Sequence, residues 1–212
     1  MARNIDPRCK QCRREGTKLF LKGDRCFTQK CAIVKRNFAP GTHGPKQGSG
    51  GKPLTGYGIQ LRAKQKAKRI YGLLEAQFSK YYQQAVSRKG NSEDALFKLL
   101  EYRLDNVVYR LGMAGSRQQA RQLVSHGHFS LNGRKVTIPS FQVKVGDAIK
   151  LKEKSLKNPI VAQLLETMKN KEMVDWLDFD PKTMTGKVTG EPSLEKQVPI
   201  FDMKAIIEFY SR

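Results

Sequence analysis

The sequence predicts an α+β fold built from small units: a cysteine knuckle at the N-terminus, a basic helical segment, and a domain of helices packed on a short antiparallel sheet. Three observations predict it. Four cysteines fall within the first 31 positions and none follow. Apolar residues then recur at helical spacing between positions 61 and 111. Beyond them, alternating segments are joined by Asn132-Gly133, a strong hairpin signal. With 212 residues, 39% of them hydrophobic, the chain can build one or two modest cores rather than a large one.

Charge narrows the partner. Lys and Arg number 40 against 19 acids, a net of +21 that repels itself unless a polyanion is present. Nucleic acid is the expected partner, with an anionic membrane the lesser alternative. The excess is uneven: residues 1–90 hold 21 basic and 4 acidic residues, a net of +17, whereas 166–212 hold 7 and 9, a net of −2. The nucleic-acid face is therefore expected in the first half, and the C-terminal part is expected to support the fold or meet another protein. No apolar run approaches the roughly 20 residues of a membrane span, and MARNIDPRCK lacks the apolar stretch of a secretory signal. A cytoplasmic, reducing setting is expected, in which a cysteine quartet is more often a metal site than a pair of disulfides.

Cys9, Cys12, Cys26 and Cys31 spell C-x2-C, a gap of thirteen residues, then C-x4-C. Two thiolates from a knuckle and two returned by a hairpin or short helix suit one tetrahedral structural Zn2+, with an iron-sulfur cluster, disulfides or free thiols as alternatives. Four thiolates close the coordination shell, and Glu15 and Asp24 are the only acids between the ligands, so catalysis is not expected there. His43 reads as a loop histidine or a substitute ligand. A segment this short has little apolar surface of its own, and a structural metal supplies on the order of 10 kcal/mol in such modules. Around the knuckle, Arg3, Arg8, Lys10, Arg13, Arg14, Lys18, Lys22, Arg25, Lys35 and Arg36 are the expected phosphate contacts.

Residues 39–53, APGTHGPKQGSGGKP, hold five glycines and three prolines and read as a linker or extended arm without a phosphate-loop pattern. In the segment that follows, Leu61, Ala63, Ala67, Ile70 and Leu74 form a helical stripe. Arg62, Lys64, Lys66, Lys68 and Arg69 fill the other faces, as in a helix laid along a phosphate backbone. Tyr71, Phe78, Tyr81 and Tyr82 can stack on bases, but core packing is the favoured reading for most of them.

Ser92 with Glu93 and Asp94 marks a helix start, and Leu96, Leu99, Leu100, Leu104, Val107, Val108 and Leu111 predict one buried helix of four to five turns ending at Gly112. Ser116 and Gln119 fit a capping box for a second helix with Ala120, Leu123 and Val124 inward. Arg117 and Arg121 lie one turn apart on another face, with Gln118 and Gln122 beside them. FSLNGRKV predicts a hairpin with Arg134 and Lys135 at its exit, and VKVGDAIKL a further strand. Such a unit offers a concave basic surface to folded RNA. His126 and His128 fit hydrogen bonding to phosphate or backbone better than catalysis. Further on, NPIVAQLLETMKN predicts a helix, Val174 to Val188 short strands, DMKAIIEFYSR a last helix, and Trp176 a packing anchor.

The stretch RLDNVVYRLGMAGSRQQARQLVSHGHFSLNGRKV, followed by PSFQVKVGD, resembles the small αL-type RNA-binding domain named after small-subunit ribosomal protein number four. CRREGTKLFLKGDRC, PGTHG, KRIYG, VSHGHF, Trp176-Leu177 and IIEFYSR follow the order of that family in its bacterial, zinc-binding form over nearly the whole chain. The resemblance implies four segments: a zinc-binding basic segment over 1–45, a basic helical domain over 46–95, the αL-type RNA-binding domain over 96–157, and a completing C-terminal region over 158–212.

It also implies a non-enzymatic, ribosome-bound protein of the small subunit. Such a protein is a primary binder of small-subunit ribosomal RNA that nucleates assembly of the five-prime domain. It lies beside small-subunit proteins three and five near where messenger RNA enters, with messenger RNA a further partner, and influences translational accuracy. The resemblance carries the zinc role to Cys9, Cys12, Cys26 and Cys31, and RNA contact to Arg117, Gln118, Arg121, His126, His128 and Asn132. QGSGGKP departs from the family, whose members are richer in arginine there. Two rivals are weaker: an RNA-modifying enzyme would need a catalytic domain for which the chain has no room, and a zinc-finger DNA regulator would need a recognition helix and a dimer or finger repeat.

Overall fold

A computed structural model describes residues 6–42, 44, 54–152, 155, 173–181 and 183–212. Arg3, His43, most of the Gly-rich arm and the predicted helix over 158–170 lie outside the described residues. The elements in chain order are α1 (Arg8–Glu15), a 3-10 turn (Gly23–Cys26), α2 (Ala32–Lys35), α3 (Gly56–Tyr71), α4 (Glu75–Val86), α5 (Ser92–Glu101), α6 (Leu104–Arg110), α7 (Arg117–Ser125), β1 (Phe129–Leu131), β2 (Arg134–Lys135), β3 (Ala148–Leu151), β4 (Leu177–Asp180), β5 (Thr185–Val188) and α8 (Met203–Tyr210). They form two units, residues 1–96 with 198–212, and residues 97–197. The C-terminal stretch that reads as one region is thus shared between them. Among the described residues no helix is long and apolar enough to cross a membrane.

In the first unit, the Thr55 side chain caps α3 by accepting from the Gly58 N–H at 3.2 Å. Gly72, at φ 64°, ends α3 in a left-handed turn, which removes Leu74 from the predicted stripe and makes it the residue before α4. Asp202 caps α8 through the Ala205 N–H, and α8 lies on α3 with Phe209 against Tyr57. Phe78, Ala67, Leu96 and Ile206 are fully buried in this core. Tyr71 is buried as well, and Tyr82 stacks on Tyr210, so these aromatics pack rather than face solvent.

In the second unit, five antiparallel strands run in the order β2-β1-β3-β5-β4. Asn132 and Gly133 both take positive φ, 48° and 81°, as a type I′ turn requires. Alternation then sorts the faces: Phe129, Leu131, Ile149, Leu151, Leu177 and Val188 join Leu104, Val107, Val108, Leu111, Leu123 and Val124 in one core. Gly186 permits the closest approach, since a Cβ there would lie 2.4 Å from Leu111 Cδ1. Trp176, 3% exposed, meets Tyr102 edge-on and is the packing anchor the sequence suggests.

The long helix expected in the middle of the chain is not continuous. The single helix expected from Ser92 to Leu111 breaks between α5 and α6, where Arg103 is extended at φ −65°, ψ 133° and bridges to Gln142. The segment 139–143 supplies the partners that a continuous helix would have used: Leu104 N–H donates to Phe141 O at 2.9 Å, Asp105 N–H to Pro139 O at 3.1 Å, and Val143 N–H to Tyr102 O at 2.9 Å. Apolar periodicity survives such a break because the same face stays buried on both sides.

Candidate nucleic-acid interface

The knuckle places two cysteines one turn apart on α1, the third at the end of the 3-10 turn, and the fourth as the residue capping α2. All four thiols are free, and Cys12, Cys26 and Cys31 are buried. They line one cavity of about 20 Å3 together with Arg8, Lys22 and Arg25. The Lys22 N–H donates to Cys26 Sγ at 3.3 Å. Burial pushes the Cys12 thiol up, and the neighbouring Cys26, Cys9 and Cys31 push the same way. Four sulfurs without a carboxylate are a donor set that suits Zn2+. Among the described residues no three Cys, His, Asp or Glu side chains are grouped to hold a metal ion.

Beside the knuckle opens a cleft of about 660 Å3 lined by Arg13, Asp24, Arg25, Thr28, Lys30, Ala32, Lys35 and Arg36. Five cations thus meet one acid. Arg13 is held in place, with Nε donating to Phe38 O at 2.9 Å, Nη2 to Ala39 O at 3.3 Å, and the guanidinium 4.8 Å over the Phe38 ring. Lys35 and Arg36 are exposed, as are Lys10, Arg14 and Lys22, while Arg8 is half-buried. Lys30 carries no local signal in the sequence; only the return of the chain from the 3-10 turn to α2 brings it to the cleft.

The cations of α3 have a different setting. Arg62 and Arg69 both pair with Glu15, whose carboxyl burial pushes up against the pull of those arginines. Lys64 is buried, contrary to its expected place on a solvent face: it pairs with Glu75 at 2.7 Å and lies 4.3 Å over the Phe209 ring. Lys68 pairs with the same carboxylate at 2.9 Å, and Lys66 is half-buried. Burial would raise the Glu75 carboxyl, but hydrogen bonds from Lys64, Tyr210 and Lys68 outweigh it and bring it down to about 2. Tyr210, donating to Glu75 at 2.6 Å, is pushed up by burial and by that carboxylate.

On the second unit, the arginines of α7 are tied to the start of α6. Arg121 is 9% exposed with Nη1 3.5 Å from Asp105 Oδ2, which also accepts from Arg103 Nη2 at 2.6 Å. Arg117 Nε donates to Asn106 Oδ1 at 2.8 Å, and its guanidinium lies 4.6 Å over Tyr109. Asn106 in turn donates to Glu101 at 2.9 Å, and Glu101 accepts both ends of the Arg110 fork at 2.9 Å. The Ser116 cap forms, with Oγ accepting from Gln119 N–H at 3.3 Å; Gln119 Oε1 accepts from Gly115 N–H rather than from Ser116.

Gln118 is half-buried and His126 exposed. His128 Nδ1 lies 2.9 Å from Ser155 Oγ, and burial lowers its pKa, with His126 and Lys152 adding to the shift. Asn132 is a latch: Nδ2 donates to Asp147 at 2.8 Å while Oδ1 accepts from Ala148 N–H at 2.8 Å. Arg134 and Lys135 are exposed on β2. Strand register sets Lys135, Ser130 and Lys150 in one row on the outer face, with Lys187 beside Ala148. Lys150 and Lys187 stand at the exposed positions of alternating strands, so period-two alternation is the signal that marks them.

Known families match this arrangement. Residues 3–101 match the family described as Ribosomal protein S4/S9 N-terminal domain, and residues 103–149 match the S4 domain. The small ribosomal subunit protein uS4 of Desulforamulus reducens is 52% identical over 212 residues, and that of Clostridioides difficile 54% over 212, each comparison covering both chains completely. The uS4 protein of Thermotoga maritima is 49% identical over 214 residues, again end to end. Matched in both units and by full-length relatives at about half identity, the chain belongs to the ribosomal protein S4/S9 family.

Proposed function

We infer that the chain is a non-enzymatic constituent of the small ribosomal subunit, bound to the ribosome through small-subunit ribosomal RNA. Its relatives carry the name of small ribosomal subunit proteins end to end, and its second unit matches the S4 domain. The observation in the fold that carries the reading is the cleft where five cations face one acid. A polyanion supplies what that cleft lacks, and phosphate contact of this kind is salt-dependent.

The finer reading is that the chain binds early to the five-prime domain and organises it for later proteins, next to small-subunit proteins three and five and near incoming messenger RNA, with an influence on decoding accuracy. Supporting it are the family membership and the open basic cleft of the first unit. The test is binding of the full chain to the five-prime domain of small-subunit ribosomal RNA against transfer RNA competitor at two salt concentrations. Preference that survives the competitor supports the reading; equal binding to both RNAs leaves charge alone and removes it.

Zn2+ at Cys9, Cys12, Cys26 and Cys31 belongs to the same proposal, with an iron-sulfur cluster the lesser alternative. In its support stand the four thiols that line one small cavity and the N–H···S bond to Cys26. When bound, the ion supplies closure of a segment with little core of its own. Metal analysis of the purified chain should give one zinc per chain, lost with Cys12→Ser and Cys26→Ser together. Iron with sulfide would select the cluster, and no metal in the freshly purified protein would remove both.

A further inference from the structure

We propose that Phe27, backed by Phe20, is a stacking platform for an unpaired RNA base whose neighbouring phosphates enter the basic cleft. The proposal rests on the RNA-binding reading and adds to it a contact that is not electrostatic. Phe27 is 72% exposed, more than any other aromatic side chain among the described residues. Exposure of one ring is ordinary on a protein surface; the setting of Phe27 is what distinguishes it.

Its surroundings are built. The Phe27 ring lies on Phe20 with centroids 5.1 Å apart and planes 29° from parallel. Phe20 takes φ 51°, a left-handed conformation that a bulky side chain rarely adopts, and it does so between Leu19 and Leu21, both buried. The chain around Phe27 is closed on itself: Phe27 N–H donates to Asp24 O at 3.0 Å, Thr28 Oγ1 donates to Arg25 O at 3.2 Å, and Arg25 Nε donates to Lys30 O at 3.4 Å. Arg25, Thr28 and Lys30 line the cleft. The ring therefore stands on a hydrogen-bonded turn that also carries Arg25 and Lys30.

This combination fits a nucleotide: a ring for the base and cations two and three residues away, Arg25 and Lys30, for phosphates. Stacking on an aromatic face accepts any base, so the platform adds affinity without choosing sequence. An apolar side chain of a protein partner would match the ring but not Arg25 and Lys30 on the same turn, which line the basic cleft, so RNA is the occupant the charges favour.

The experiment measures affinity of the full chain for the five-prime domain of small-subunit ribosomal RNA, with transfer RNA competitor, across a salt series. Phe27→Ala should weaken binding about tenfold while leaving the slope of affinity against salt unchanged, because no phosphate contact is lost. Phe27→Tyr should bind like the unaltered chain. Phe27→Leu, which keeps apolar bulk should the alanine variant fail to fold, should bind as weakly as Phe27→Ala. Unaltered affinity in Phe27→Leu or in a folded Phe27→Ala overturns the platform and leaves the ring for a protein contact. Failure of the unaltered chain to prefer this RNA overturns the RNA reading itself, and the platform with it.

Discussion

The cleft of the first unit and the α7 arginines of the second use the same residue types in opposite ways. In the cleft, Arg13, Arg25, Lys30, Lys35 and Arg36 face Asp24 alone among the lining residues, so charge is left over. On α7, Arg117 and Arg121 are met by Asn106 and Asp105, and behind those stand Glu101, Arg103 and Arg110. The difference separates cations that wait for a polyanion from cations whose orientation the protein itself fixes. Helix α3 lies between these limits, its basic residues sharing Glu15 and Glu75.

The comparison breaks most readily at Asp105. Asp105→Ala takes the carboxylate from Arg103, which is 1% exposed, and from Arg121, and removing one partner of a buried pair costs about 3–5 kcal/mol. Urea denaturation should show that loss, with the same variant in RNA binding showing a defect only where the second unit is unfolded. A loss below about 1 kcal/mol would mean that the network is not stabilising.

Lys35→Ala and Arg36→Ala should behave in the opposite manner. Each removes a phosphate contact, lowering the salt slope by about one, and each side chain is exposed, so the unfolding midpoint should not move. A shifted midpoint with an unchanged slope would assign these residues to the fold instead.

The smaller effect is a pH dependence at Glu75. Its folded pKa of about 2 lies below the ordinary 4.5, so its stabilising contribution is fully present above about pH 4.5 and is lost as pH falls toward 2. With 46% of the side chain exposed, solvent screening keeps that contribution modest. Glu75→Gln should flatten this part of the stability curve while leaving stability near neutrality only slightly lower. A curve of unchanged shape would remove Glu75 from the account.

What the sequence made legible was local. The Ser116 cap and the Asn132-Gly133 turn each depend on a few neighbouring residues, and each has the structure its local chemistry requires. What it concealed depends on distant partners. The break at Arg103 needs residues 139–143, the burial of Lys64 needs Glu75 and the last helix, and β5 joins the sheet by pairing with β3 some 35 positions earlier, as at Lys150 with Thr185. Asn132 shows both kinds at once: its turn was readable, while its latch to Asp147 and Ala148 was not.

The central claim is that the uncompensated cleft is the phosphate-binding face. The most direct measurement replaces Arg25, Lys30, Lys35 and Arg36 together by Ala and compares the salt slope of binding to the five-prime domain of small-subunit ribosomal RNA with that of the unaltered chain. The account predicts a slope lower by about three, at roughly 0.7–0.9 per phosphate released, with an unchanged unfolding midpoint. An unchanged slope would contradict it and move the RNA face to another part of the molecule.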